Sequence, residues 1–470
     1  MFIFLVLAYF AVLMGVGVVA GRLMKGTSED YFLASRGIGP VLLFISLAAA
    51  NFSAFFFLGF SGAAYKYGFG QYGIMGVGTA LMPIMFYVVG RRAWKLGKEH
   101  GIVTPSELIE KVFKSRLLGL LVLSVMVVYT LPYLGVQAIG AGIILKSVAG
   151  VEVTTGACAT ALVIMAYIIL GGMRGSVWTD VIQGVFMLFG MLVAVYFVAS
   201  GLGGFEAAGL KAFHAKPELF TRPGGMDYFT PQIWLSYMLL WMFVDPMFPH
   251  LFTRFYTAKT KKSLAAPMIA YPLIVSFLFL VPVLIGVWAN GTGIKVANTD
   301  SILPEMVKAY SPPWAYTLVM LGALAALMST ADSQLLALST MLARDLKMTG
   351  EVFKSRLITV ALTAVAIAYV IFGFKAAEGI FGALVATTFS GLVVLFPTFY
   401  AALYRPGTSK WAAVASILAG EAAVLLFRYK VLPTFGFLDG MAALAISAVT
   451  LIAVDVLAGR GSRLVTAGYK

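Results

Sequence analysis

LGALAALMSTADSQLLALSTMLARDL, residues 321–346, reads as an apolar helix long enough to cross a bilayer, with Ser329, Thr330, Asp332 and Ser333 near its middle. Polar oxygens in hydrocarbon are costly unless they face something polar. A tight group of hard oxygens suits a hard cation such as Na⁺ better than any soft metal. On a helix, positions 326, 329, 330 and 333 share one face. The Ala326 carbonyl and the Ser329 and Thr330 hydroxyls can therefore converge on one point. Three oxygens do not fill a Na⁺ shell, and the missing ones would come from carbonyls released where another helix is broken. Serine and threonine also often bond back to their own helix, and on this stretch alone that reading stays open.

Around this helix lies a chain of 470 residues, 61% hydrophobic and only 11% charged, where a soluble protein would carry about 25% charged residues. Apolar runs near 20 residues recur from end to end, so the fold class is an all-α polytopic membrane protein. Thirteen spans are expected, at about 2–24, 40–67, 70–94, 117–147, 153–171, 176–200, 231–255, 264–289, 313–343, 354–374, 378–404, 409–427 and 437–458. The single cysteine, Cys158, excludes disulfides and thiolate metal clusters. The net charge of +14 comes from basic residues in short loops between spans, not from one face of a domain. Positive-inside topology explains them, and no nucleic-acid partner is expected. Most of the 34 Lys and Arg residues, including those from Arg254 to Lys262 and in the tail after span thirteen, fall on the side reached after span one. That puts the C-terminus in the cytoplasm, the N-terminus outside and the protein in the cell membrane. The N-terminus lacks a basic n-region and a small-residue cleavage site, so a retained first span is expected. Between spans three and four, TPSELIEKVF (104–113) reads as a surface helix capped by Thr104 with Glu107 three residues on.

Ionisable residues inside the spans are few: Asp180, Asp245, Asp332, Glu421, and His250 near a helix end. A charge at mid-membrane costs at least ~2.5 kcal/mol on insertion scales, so each is a candidate for function or for bonding between helices. Glu421 reads as a buried hydrogen-bond partner, and His250 as a ring near terminal carbonyls. Span two contains SLAAANFSAFFFLGFSGAAYKYG (46–68), in which small residues, Asn51, Ser53, Gly59 and Gly62 weaken a long helix. Unwinding there would expose carbonyls such as those of Ala49 and Phe52. Irregular backbone at that depth survives where it lines a cavity or an ion site. A small-residue packing face is the alternative.

These segments resemble the sodium:solute symporter family, which includes proline, pantothenate, sugar and sialic acid carriers. The resemblance rests on residues 46–68, on GGMRGSVWTDVIQGVFM (171–187), on MSTADSQLLALSTMLARDL (328–346) and on PHLFTRF (249–255), and runs from about residue 20 to 430. It implies a core of two inverted five-helix repeats, residues 40–200 and 231–404, whose first core helix is broken. One extra span (1–24) would precede the core and two (409–458) would follow. It implies Na⁺ as the coupling ion, held by the carbonyls of Ala49, Phe52 and Ala326 and the hydroxyls of Ser329 and Thr330. A second Na⁺ at Asp180, Asp332 and Ser333 is the further option, because two close carboxylates need a cation or a shared proton. The solute would lie among Asn51, Ser53, Phe55, Tyr133, Gln137, Trp241, Asp245 and Thr387. Proline carriers have an acidic residue at the position of Asn51, which sets this chain apart from them.

The expected function is a secondary active transporter importing Na⁺ with a small organic solute by alternating access. A fixed carboxylate at Asp245 favours an amino acid, amine, polyol or vitamin over a simple monocarboxylate. Two alternatives keep the fold: proton coupling through Asp180 and Asp332, or a solute sensor. No His/Cys metal set, nucleophile–base pair or phosphate loop supports an enzyme.

Overall fold

The computed structural model describes residues 2–372 and 379–459, and over them every regular element is a helix. Residues 373–374 of the tenth expected span, 378 of the eleventh, and the tail's Arg460, Arg463 and Lys470 lie outside the described residues. The principal helices are α1 (Phe2–Arg22), the bent pair α2 (Pro40–Asn51) and α3 (Phe55–Tyr67), α4 (Gly70–His100), the surface helix α5 (Pro105–Phe113), α6 (Arg116–Ala149) and α7 (Val153–Gly201). They continue with α8 (Pro231–Val244), α9 (Pro249–Thr257), α10 (Lys261–Trp288), α11 (Pro313–Asp345), α12 (Glu351–Phe372), α13 (Gly379–Tyr404), α14 (Lys410–Arg428) and α15 (Asp439–Leu457).

Among the described residues, ten helices are long and apolar enough to cross a membrane, or eleven with the bent pair counted as one span. The thirteen read from sequence differ at two places. The first is α7, a run of 49 residues. Straight, it would measure ~73 Å, against a hydrocarbon layer of ~30 Å. It is broken at Gly172 (φ 52°, ψ −147°). Only glycine adopts that backbone freely, and a Cβ there would sit 2.7 Å from the Tyr31 carbonyl oxygen. Tyr167 before the break and Ser176 after it both bond the Asp332 carboxylate, although side chains nine residues apart point to opposite faces of a straight helix. The second place is residues 231–257. There α8 and α9, 14 and 9 residues long, are separated by Asp245–Phe248, with Pro246 and Pro249 removing backbone donors.

The centre of the molecule is α11, on which almost every side chain is buried. Helices approach closely in lipid through small residues. Gly322 of α11 meets α7 so closely that a Cβ would lie 2.5 Å from the Phe186 carbonyl oxygen. The periphery is apolar where a soluble protein would be polar. On α10, Ile269, Leu273 and Phe277 recur every fourth residue and are 73%, 74% and 58% exposed, a face suited to acyl chains. The surface helix α5 forms with the expected capping box between Thr104 and Glu107.

Candidate functional site

The break between α2 and α3 leaves carbonyls without their helical partners, and α11 crosses it. Phe52 leaves helical geometry (φ −78°, ψ 118°). The Ala54 N–H, which in an unbroken helix would bond the Ala50 carbonyl, donates instead to Gln137 Oε1 of α6 at 3.0 Å. The Phe56 N–H, due at Phe52, donates to the Ser53 carbonyl at 3.0 Å. The freed oxygens face the two hydroxyls of α11. Ser329 Oγ lies 2.8 Å from the Ala49 carbonyl and 2.9 Å from that of Ala326. Thr330 Oγ1 lies 2.8, 3.0 and 3.2 Å from the carbonyls of Phe52, Ala50 and Ala326. Each hydroxyl has one proton, so the two cannot donate to all these carbonyls at once. The remaining contacts bring lone pairs together, which a cation among them would relieve. All the donors are neutral, hard oxygens, a chemistry that fits Na⁺. Both hydroxyls also touch the Ala326 carbonyl, so the back-bonded and bridging readings of the pair coexist here.

One turn further along α11, Asp332 and Ser333 meet α7 and α9. Asp332 accepts from Tyr167 (2.9 Å), Ser176 (2.9 Å), Thr179 (3.3 Å) and Ser333 (3.0 Å). Asp180 accepts from Ser46 Oγ at 2.6 Å and from Arg254 Nη2 at 2.9 Å. The Arg254 guanidinium also donates to Ser46, to Ser333 and to the His250 carbonyl. The charge count put Arg254 in a cytoplasmic loop, but it is 1% exposed inside α9. Its guanidinium supplies one positive charge beside Asp180, while Asp332 is held by hydroxyls. A buried guanidinium and carboxylate tolerate their surroundings when further hydrogen bonds satisfy the remaining groups, and these hydroxyls supply them.

Between the broken helices lies an aromatic cage. Phe55 stacks on Phe381 (5.1 Å, 14°) and meets Trp241 and Phe389 edge-on. Tyr133 packs against Phe248, His250 and Phe389. Inside this wall Ser53 Oγ and Tyr133 OH share a hydrogen bond of 3.0 Å, and Ser53 also accepts the Phe55 N–H. Asn51 donates to Tyr271 OH at 2.6 Å and interacts with the buried Asp245 carboxylate. Gln137 Nε2 and Trp241 Nε1 are buried donors with no partner among the described residues. The Thr387 hydroxyl donates back to the Ala383 carbonyl of its own helix at 2.6 Å. His250 lies deeper than expected, with its ring in the cage. Glu421 takes the Tyr129 hydroxyl at 2.6 Å, away from this region.

The sequence matches the sodium:solute symporter family over residues 31–420. The chain belongs to that family. It is a multi-pass, sodium-coupled transporter and not an enzyme. Among its curated relatives is the sodium/pantothenate symporter of Escherichia coli K12, 29% identical over 72% of this chain and 71% of the relative. A high-affinity proline transporter of Bacillus subtilis is 26% identical over 94% and 96%. Among solved structures, a substrate-bound Na⁺-coupled sialic acid symporter superposes with a TM-score of 0.81 at 17% identity, covering 96% of each chain. A nucleobase-cation-symport-1 family transporter gives 0.64 at 14%, over 91% of this chain and 95% of its own. These two likenesses concern the fold.

The residues absent from the sequence reading are those whose type gives little signal. Ala50 acts through its backbone. Phe248, Phe381 and Phe389 look like ordinary apolar helix residues. Arg254 had a visible signal, a basic residue in the middle of PHLFTRF, but its nearness to Lys259 and Lys261 disguised it as loop charge. Beyond the cage, a cavity of about 550 Å³ reaches from Tyr237 and Phe381 to Lys66, Asp300, Arg428 and Asp439. Burial pushes the Asp300 carboxyl above its ordinary value, although the Ile380 N–H, Lys66 and Asn298 pull it down.

Proposed function

We propose that this symporter carries Na⁺ inward together with a small organic solute by alternating access. In this reading the N-terminus is outside and the C-terminus cytoplasmic. The core is two inverted repeats, 40–200 and 231–404, flanked by 1–24 and 409–458. The Na⁺ ligands are the carbonyls of Ala49, Phe52 and Ala326 and the hydroxyls of Ser329 and Thr330. The observation that carries the assignment is the excess of carbonyl contacts over protons at the two α11 hydroxyls. The ion joins α11 to the break in α2–α3, and that break borders the aromatic cage. Ion and solute therefore strengthen each other's binding reciprocally.

We assign one Na⁺ rather than two. The guanidinium of Arg254 supports this, because it already supplies a positive charge beside Asp180, Asp332 and Ser333.

The solute sits among Asn51, Ser53, Phe55, Tyr133, Gln137, Trp241, Asp245 and Thr387. Asp245 favours an ammonium or hydroxyl. The free donors Gln137 Nε2 and Trp241 Nε1 favour an acceptor such as a carboxylate, amide or hydroxyl on the same molecule. Amino acid-like solutes and hydroxylated vitamins or polyols satisfy both. The solutes named for the relatives, pantothenate and proline, have this mixed character. The test is a thermal-shift panel of amino acids, polyols, vitamins and monocarboxylates with and without Na⁺. Stabilisation by one of the first three classes, larger with Na⁺, is expected. It should fall at least tenfold in apparent affinity in Asp245→Asn. Stabilisation by a simple monocarboxylate alone, or one indifferent to Na⁺, would overturn the reading.

A further inference from the structure

Where α4 and α13 end, a cavity of about 490 Å³ is walled by Arg92 and Lys95 of α4, Lys111 of α5 and Arg405 just past α13. Glu99 is the one carboxylate in its wall, and it meets Lys95 at 3.8 Å in an exposed pair of little strength. Among the described residues, no carboxylate lies within salt-bridge distance of Arg92, Lys111 or Arg405. Arg92 and Arg405 are half-buried, and neither has a counter-charge among the described residues. Arg92 lies 5.1 Å from the centroid of the Tyr404 ring, which is fixed by its hydroxyl donating to the Val88 carbonyl at 2.7 Å.

Positive-inside topology accounts for basic residues at this end of the helices. It does not require four of them, from three elements, to converge on one cavity. One turn back along α13, at Tyr400, and about two turns back along α4, at Ile84, the surface becomes apolar. Tyr400 is 41% and Ile84 49% exposed, and the rings of Phe396, Tyr400 and Tyr404 stack at 6.1 and 5.2 Å. A cationic pocket capping an exposed apolar strip matches an amphiphile with an anionic head. Planar guanidinium forks suit phosphate oxygens, and basic pockets between helix ends are where such headgroups dock.

We propose that this cavity binds the phosphate headgroup of an anionic membrane phospholipid, whose acyl chain lies along Ile84 and Tyr400. A soluble phosphate compound would use the cations and leave the strip uncovered. The bound lipid ties α4, α5 and α13 together. The site is separate from the Na⁺ and solute sites and does not depend on their assignment.

The test is native mass spectrometry of the full chain in detergent with phosphatidylglycerol or phosphatidylcholine at equal concentration. Phosphatidylglycerol should be retained at least fivefold more. In Arg92→Gln/Arg405→Gln that preference should vanish. In Arg91→Gln/Lys98→Gln, which removes two basic residues of α4 outside the cavity, it should persist. Lys95→Gln/Lys111→Gln serves if the first double variant fails to fold. Three results would overturn the proposal: equal retention of both lipids in the unaltered protein, equal loss in the variants inside and outside the cavity, or stabilisation by millimolar inorganic phosphate matching that by phosphatidylglycerol.

Discussion

Replacing Thr330 by Val keeps the side-chain shape and removes one oxygen from the crossing of α11 with the α2–α3 break. That oxygen touches three carbonyls, those of Ala50, Phe52 and Ala326. A ligand oxygen directed at a charge contributes ~1.5–3 kcal/mol. At ~1.4 kcal/mol per decade, the Na⁺ dissociation constant should rise roughly 10- to 150-fold. Protein stability reads this directly. Na⁺ at 100 times its dissociation constant stabilises the native state by ~2.7 kcal/mol, and after a fifty-fold weakening the same concentration gives only ~0.65 kcal/mol. The assay is melting temperature against NaCl at constant ionic strength, with choline as the replacement cation, beside Na⁺-driven uptake in proteoliposomes. Thr330→Ser keeps the hydroxyl and should fall within about threefold of the unaltered protein in Na⁺ affinity. If Thr330→Val shifts the Na⁺ dependence by less than threefold, or Thr330→Ser shifts it equally, the hydroxyl is not a ligand and the argument from its crowded carbonyls fails.

Arg254→Gln leaves Asp180 buried without its guanidinium, a change of ~3–5 kcal/mol when one partner of a buried pair is lost. In low Na⁺ the melting temperature should drop strongly, and it should recover in high Na⁺ along a two-site curve as an ion takes the vacated position. A loss of equal size at every Na⁺ concentration would refute the view that Arg254 replaces a second ion. Asp30 lies outside the spans. Burial pulls its carboxyl upward, but the Lys25 N–H, Ser35 and Arg174 outweigh burial and hold it below its ordinary 3.8. Its contribution to stability is therefore full at neutral pH and lost as pH falls through the lowered folded value. Asp30→Asn should lower the melting temperature equally at pH 6 and 8, with the difference shrinking toward pH 3. A penalty that grows on acidification would contradict this.

Much of the membrane architecture was legible because hydrocarbon forces a simple code on the chain. A run such as Phe2–Arg22 has one reading in a lipid solvent. Ser329 and Thr330 stood out because hydroxyls are rare in such company, and the family stretches around them fixed which helix they face. Span counting failed to agree with helix length where continuity and direction part ways. A single glycine, Gly172, breaks α7 without ending its helical run. The α8–α9 break yields two pieces too short to qualify as spans. The cage and the Arg254 network were not legible for another reason. Phe248 and Phe389 are distant in sequence and ordinary in type. The role of Arg254 depends on the side chains that three other helices bring to it.

By taking the Ala54 N–H for its own amide oxygen, Gln137 keeps the broken strut from re-annealing. In the proposed reading, the seat of the alkali ion is thus furnished before its occupant arrives. Capture and release then require little rebuilding of backbone, and the free energy of the ion gradient remains for tilting one half of the carrier against the other.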